Sequence, residues 1–139
     1  MACLTDQLVL DTSAVAAILF NEPEARAFFE RIRKADAIWL SSVSKVETMM
    51  VLTARFNALA APKFAGFCDM LSVCIAPIDD GLADLAIEAF LRFGKGRHPA
   101  GLNFGDCFAY ALAKKLDAPL LFKGNDFSRT DIPCIVCDL

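Results

Sequence analysis

The chain has 139 residues, of which 56% are hydrophobic, and its formal net charge at pH 7 is −3. This length suits one domain with a substantial core, and the hydrophobic content argues against a disordered chain. No apolar run reaches the ~18 residues of a membrane span, and the acidic balance excludes a protein that binds nucleic acid through phosphate contacts alone.

The start of the chain carries no sign of export. Residues 1–7 lack both the basic start and the apolar run of a signal peptide. We therefore expect a cytoplasmic protein whose six cysteines stay reduced. The sequence contains no repeats and no low-complexity segment, so we expect a single domain over residues 1–139.

Short apolar segments alternate with helical patterns along the chain. Predicted strands cover residues 7–11, 37–40, 73–78 and 119–122, with a short fifth strand at 132–136. Predicted helices cover residues 14–20, 24–34, 63–71, 82–93 and 105–116, and a long helix follows the second strand. Residues 57–62 are predicted as a loop or helix break, and residues 94–101 as a glycine-rich basic loop. The alternation predicts an α/β fold with a central parallel sheet of four to five strands covered by helices on both sides.

Hydroxyl and acidic residues mark the predicted helix starts. Ser13 is predicted to cap the first helix, and either Ser42 or Ser44 the long helix. Asp79 or Asp80 is predicted to cap the helix that begins near residue 82.

Four carboxyl residues are predicted to reach one edge of the sheet. Asp11 ends the first strand and Asp126 follows the fourth. Glu47 lies in the first turns of the long helix, and Asp106 lies near the start of a later helix. Sites in open parallel sheets form outside the carboxyl ends of the strands, and crowded carboxylates repel one another unless a cation offsets their charge. Oxygen ligands suit Mg²⁺ or Mn²⁺, which can activate water for phosphodiester hydrolysis.

Each acid also has a purely structural interpretation. Asp11 could cap a helix, Glu47 could be a solvated surface residue, Asp106 could be first-turn charge and Asp126 could belong to a turn. The neighbours of Glu47 and Asp106 favour half-buried acids because they are apolar: Val46, Met49, Met50, Phe104, Cys107 and Phe108. A histidine-rich zinc site is excluded, since the sequence contains a single histidine, His98.

These residues stand in stretches that resemble the PIN-domain ribonucleases, and most of all the VapC-type toxins of bacterial toxin–antitoxin pairs. The matching stretches are VLDTSAVAAIL, SSVSKVETMMVL, GKGRHPAGLNFGDCFAYALAK and PLLFKGNDFSRTDI. The resemblance implies a three-layer α/β/α fold and a Mg²⁺- or Mn²⁺-dependent endoribonuclease that cuts structured RNA, such as transfer or ribosomal RNA. It also implies a small VapB-type antitoxin whose tail blocks the acidic site, and a toxin that forms a homodimer.

The resemblance also assigns roles to individual residues. The family's acids map onto Asp11, Glu47, Asp106 and Asp126, with Asp11 and Asp106 as the principal metal ligands. Many relatives carry two acids where this chain has Asn125 and Asp126. We assign the fourth acidic position to Asp126, while Asn125 could share the role through its carbonyl oxygen.

Several polar residues could support this site or contact RNA. Thr12 and Ser13 could hydrogen-bond the acids or a phosphate, and they could equally cap a helix. Asn103 could orient Asp106 or order the loop before it. Four basic residues could contact RNA phosphates or simply be solvated: Lys95, Arg97, Lys123 and Arg129.

Two other functions compete with RNA cleavage. A phosphate-receiving signalling domain also has an acidic rim on a parallel sheet. It needs an acid pair after the first strand, however, and here a single acid ends that strand while Asp79 and Asp80 come much later. The second competitor is a metal-free module with a PIN-like fold that only binds RNA or a partner. The presence of all four acids argues against it.

Overall fold

A parallel sheet forms the centre of the computed structural model, which describes residues 6–134. Its four strands lie in the order β3-β2-β1-β4. They are β1 (Gln7–Leu10), β2 (Ala37–Ser41), β3 (Val73–Ala76) and β4 (Leu120–Leu121). The α-helices are α1 (Thr12–Leu19), α2 (Ala25–Arg33), α3 (Ser42–Phe56), α4 (Ala60–Leu71), α5 (Asp80–Phe93) and α6 (Phe104–Leu116).

The central position of β1 follows from its apolar residues. Leu8, Val9 and Leu10 are fully buried, which a strand achieves only when both faces of its sheet are covered. β1 pairs in parallel with β2 on one side and with β4 on the other. The acid that follows β1 therefore lies at the middle of the sheet edge.

The helices cover the two faces of the sheet as separate layers. Leu8 and Leu10 pack in one hydrophobic cluster with residues of α1, α2, α3 and α4. Val9 faces the opposite cluster, which contains residues of α5 and α6. The α/β class, the parallel sheet and the three layers are thus confirmed.

Several predicted boundaries shift in the structure. Asp11 caps α1 in place of Ser13, and Ser41 caps α3 in place of Ser42 or Ser44. Residues 57–62 form a helix break and not a loop, because a 3₁₀ turn (Asn57–Leu59) separates α3 from α4. The third and fourth strands end earlier than predicted, whereas Asp79 caps α5 as predicted.

The predicted fifth strand is only partly described. Cys134 forms an isolated bridge with Leu120, while residues 135 and 136 lie outside the described part of the chain. Within residues 6–134 no helix combines the length and the apolar character that a membrane span requires. The cysteines at 68, 74, 107 and 134 form no disulfide.

Candidate active site

Asp11 occupies the point where β1 gives way to α1. One carboxylate oxygen, Oδ2, accepts hydrogen bonds from the Ser13 backbone N–H at 3.0 Å and from the Ser13 hydroxyl at 2.6 Å. The other oxygen, Oδ1, is buried and has no hydrogen-bond partner among the described residues. An unpartnered buried carboxylate oxygen is costly unless a ligand completes it. Asp11 therefore caps the helix with one oxygen and leaves the other for a ligand.

Two hydroxyl residues after Asp11 tie neighbouring elements together. The Ser13 hydroxyl accepts from the Lys123 backbone N–H at 2.9 Å, which joins α1 to the segment after β4. The buried Thr12 hydroxyl donates to the Ser44 carbonyl and accepts from the Thr48 hydroxyl, both at 3.3 Å. Thr12 thus joins α1 to α3, the helix that carries Glu47.

Asp106 is held by a reciprocal cap at the start of α6. Its carboxylate accepts from the Asn103 backbone N–H at 3.0 Å, and the Asn103 side-chain oxygen accepts from the Asp106 N–H at 2.9 Å. This capping box satisfies two backbone donors and fixes the carboxylate. The predicted orienting role of Asn103 thus has a geometric basis in these two bonds.

The four acids line one cavity of about 270 Å³ at the end of the sheet. Asp11 and Asp106 are buried, Glu47 is half-buried on α3, and Asp126 is exposed after β4. Thr12, Ser13, Asn103 and Lys123 also line this cavity. The structure thus brings together residues that lie far apart in the sequence.

Burial and mutual repulsion perturb the two inner acids. Burial is the main cause that raises the pKa of Asp106 to about 7, and the charges of Asp11, Asp126 and Glu47 add to the rise. Burial also raises the pKa of Asp11, and the charge of Glu47 contributes, although the hydrogen bonds from Ser13 oppose the change. A cation bound between these carboxyl groups would favour their ionised form and relieve the repulsion.

Four of the remaining predicted residues lie outside this cavity: Asn125, Lys95, Arg97 and Arg129. Asn125 is exposed, and its backbone carbonyl accepts a hydrogen bond from the Ser128 hydroxyl. Arg97 donates to the Leu91 carbonyl, Arg129 donates to the Pro99 carbonyl, and Lys95 is exposed. Lys123 lines the cavity, but its ammonium group pairs with Glu22 and Glu24 at 3.2 and 3.4 Å.

Three apolar residues that the sequence interpretation missed also line the cavity: Ala16, Val51 and Phe127. Phe127 is almost fully buried, and it follows Asp126 directly. Val51 lies one helical turn after Glu47, so the spacing of four residues along α3 was the signal that could have found it. Their side chains give the acids an apolar wall.

The predicted half-burial holds for Glu47, and Asp106 is more deeply buried, but three of their apolar neighbours are exposed. Val46, Met50 and Phe104 are 60%, 69% and 75% exposed. They border an apolar groove of about 710 Å³ that adjoins the acidic cavity and shares Glu47 and Val51 with it. These apolar side chains therefore form a surface beside the site instead of a core around it.

The donor set of the cavity fits a divalent cation. Among residues 6–134 no three acidic, histidine or cysteine side chains stand close enough to hold an ion by themselves. Mg²⁺ needs fewer protein ligands, since it commonly binds through one or two carboxylates and keeps several waters. Asp11 offers a buried oxygen that no described residue hydrogen-bonds, and Asp106 offers a fixed carboxylate, so these two residues suit the direct contacts.

Comparison with known families agrees with this arrangement. A family model described as the PIN domain matches residues 8–133. The chain therefore belongs to the PIN-domain family. Divalent metal ions are the general cofactor of PIN-domain ribonucleases.

Several curated relatives of the chain are VapC ribonucleases. The chain is 44% identical over 129 residues to "Ribonuclease VapC30" of Mycobacterium tuberculosis, an alignment that covers 92% of this chain and 98% of that protein. It is 41% identical over 128 residues to "Ribonuclease VapC" of Mycolicibacterium smegmatis, covering 92% and 99%. The resemblance inferred from the motifs is thus confirmed.

Solved structures share the fold at low sequence identity. The VapC20 toxin of Mycobacterium tuberculosis, described as cleaving the sarcin–ricin loop, aligns with a TM-score of 0.71 at 21% identity over 90% of this chain and 95% of that one. VapBC2 of Rickettsia felis, bound to a DNA fragment from its promoter, aligns with a TM-score of 0.74 at 16% identity over 95% and 99%. At these low identities, the two structural comparisons support a shared fold.

Proposed function

We propose that this chain is the toxin of a VapBC-type toxin–antitoxin pair, an endoribonuclease that cleaves structured RNA in the cytoplasm with Mg²⁺, for which Mn²⁺ can substitute. One observation carries the proposal. Four carboxyl residues from four separate elements line one cavity, and the most central of them keeps a buried oxygen that has no partner among residues 6–134. The identity to VapC ribonucleases over nearly the whole chain supports the same activity.

The residues of the cavity have distinct tasks in this proposal. Asp11 and Asp106 hold the divalent ion, and Glu47 and Asp126 complete the acidic surround, with Asn125 as an alternative donor at the fourth position. When bound, such an ion supplies positive charge at the scissile phosphate and lowers the pKa of a coordinated water. Ser13 fixes the orientation of Asp11, and Asn103 fixes that of Asp106.

The basic residues outside the cavity suit the RNA backbone. Lys95 and Arg97 are exposed in the loop between α5 and α6, and Arg129 follows the acidic turn. We assign them contacts with phosphates flanking the cleaved bond, because an acidic protein needs local positive charge to bind RNA. Transfer RNA and ribosomal RNA are the substrate classes we propose.

The apolar groove beside the cavity suits the antitoxin. Several of its side chains are exposed, including Val46, Met50 and Phe104, and isolated soluble proteins rarely leave such a patch uncovered. A VapB-type segment laid along this groove would reach Glu47 and close the acidic cavity. We further propose that residues 1–139 form a single domain and that the toxin forms a homodimer.

Cleavage assays on purified chain, freed of antitoxin, test the proposed function. Transfer and ribosomal RNA are incubated with Mg²⁺, with Mn²⁺ or with a chelator. We expect cleavage with either metal and none with the chelator, and a loss on the order of 100-fold or more in Asp11→Asn and Asp106→Asn. Asp80→Asn is the matched control, since Asp80 is exposed at the start of α5 and lies outside the cavity. Intact RNA with both metals would overturn the proposal.

A further inference from the structure

Gly105 occupies an unusual place for a glycine. It is the second residue of α6, it is buried, and Asp106 follows it directly. A glycine inside a helix lowers helix stability relative to alanine because it loses more backbone freedom on folding. Its φ is not positive, so the backbone itself does not require glycine here. Some other feature must therefore explain the missing side chain.

The carboxylate of Glu47 fills the space where a side chain at position 105 would stand. A Cβ added to Gly105 would lie 2.6 Å from Glu47 Oε1, 2.7 Å from Oε2 and 2.8 Å from Cδ. Real Cβ atoms almost never approach another heavy atom within 3.0 Å. Glu47 belongs to α3, and its carboxylate thus lies directly against the backbone of α6 at the residue before Asp106.

Among the three glycines inside the described helices, only Gly105 shows this close approach. Gly94, which follows α5, is also crowded, since a Cβ there would clash with Phe90 Cδ1 and with the Phe90 carbonyl oxygen. A Cβ at Gly66 in α4 would have no neighbour within 4 Å. A Cβ at Gly81 in α5 would meet only an oxygen of Asp79, at an ordinary 3.6 Å. Alanine fits both positions without displacing a side chain, whereas alanine at 105 forces the Glu47 carboxylate to move.

We infer that Gly105 is a positioning residue, whose missing side chain lets α3 place the Glu47 carboxylate in the acidic cavity beside Asp106. This inference rests on the proposed metal-dependent cleavage. The clash in Gly105→Ala involves only the far end of a flexible side chain, so Glu47 can rotate away while α6 stays folded. The substitution should therefore move the Glu47 carboxylate without lowering the stability of the fold.

A double-mutant cycle on metal affinity tests the inference. Calorimetric titration with Mn²⁺ is carried out on the wild-type chain, Gly105→Ala, Glu47→Ala and the double variant, with Gly66→Ala as the matched control. We expect Gly105→Ala to bind Mn²⁺ about 10- to 100-fold more weakly and to cleave RNA correspondingly more slowly. We expect no further loss when the same substitution is made in Glu47→Ala, because the carboxylate it displaces is then absent.

Stability and the control variant separate the possible outcomes. Gly105→Ala should melt at or above the wild-type temperature, and Gly66→Ala should match the wild type in metal affinity. The inference is overturned if Gly105→Ala keeps wild-type affinity, or if it loses as much affinity in Glu47→Ala as in the wild type. If the wild-type chain neither binds Mn²⁺ nor cleaves RNA, the proposed function is wrong, and this inference is wrong with it.

Discussion

Asp106→Asn should make the metal-free protein more stable at alkaline pH, although it removes a residue of the proposed active site. The amide replaces a carboxyl group of nearly the same shape. Its side-chain oxygen can still accept the hydrogen bond from the Asn103 N–H that the carboxylate accepts at 3.0 Å. The substitution therefore removes the charge and keeps the cap.

The size of the effect follows from the pKa of Asp106. Because the folded state raises this pKa from 3.8 to about 7, the folded state binds the proton more tightly than the unfolded state. The free energy of unfolding consequently falls as pH rises from about 4 to about 7 and stays low above that. At 1.36 kcal/mol per pH unit, the full difference is about 4 kcal/mol. We expect Asp106→Asn to recover about 2 to 4 kcal/mol at pH 8.5 and almost nothing at pH 4.

Urea unfolding in the presence of a chelator measures this difference. The single tryptophan, Trp39, lies half-buried in β2 and hydrogen-bonds the Gln7 side chain, so its fluorescence should report unfolding. Asp80→Asn, on the exposed start of α5, should show no gain at either pH. Mg²⁺ at 100 times its Kd should remove most or all of this advantage, because it stabilises the wild type by about 2.7 kcal/mol. If Asp106→Asn is no more stable than the wild type at pH 8.5 without metal, the reasoning from burial and repulsion is refuted.

Three further substitutions test other parts of the site. Asp11→Ser keeps a side chain that can cap α1, so the free energy of unfolding should stay within about 1 kcal/mol of the wild type. The Mn²⁺ affinity measured by calorimetry should fall on the order of 100-fold, and a loss of stability without a loss of affinity would contradict a ligand role. Ser13→Ala removes the hydroxyl shared by Asp11 and the Lys123 N–H, and we expect urea unfolding to show a loss of about 1 to 3 kcal/mol that Ser13→Thr does not show. Arg97→Gln should weaken RNA binding and lower the slope of log affinity against log salt by about 0.7, whereas Arg33→Gln on α2 should leave the slope unchanged.

The sheet and its order of elements were predictable because β1 and β4 are short, strongly apolar segments. The exact helix starts were harder to predict, since neighbouring residues can all serve as caps. Ser41 ends β2 and caps α3 at once, so a prediction that assigned each residue to one element placed the cap one to three residues too late. Packing also determines which polar side chain reaches the free N–H groups, and packing cannot be read from local sequence.

The acids were predictable as a group, but their environment was not. Apolar sequence neighbours predicted that Glu47 and Asp106 are half-buried, which holds for Glu47, whereas Asp106 is buried. Residues adjacent in a helix point in different directions, however, and so Val46 and Phe104 face solvent. Glu47 and Gly105 lie 58 positions apart in the sequence, and only the folded arrangement reveals their contact.

The two interpretations of Asp11, helix cap and metal ligand, are not alternatives in the folded chain. Its Oδ2 accepts both hydrogen bonds from Ser13, while its Oδ1 accepts none from the described residues. Asp106 likewise completes the cap of α6 and contributes to the acidic cavity. Capping fixes each carboxylate on a rigid element, and this is the geometric precision that a metal site needs. Because α1 follows the carboxyl end of β1, the same local geometry that starts α1 also places Asp11 in the lining of the cavity.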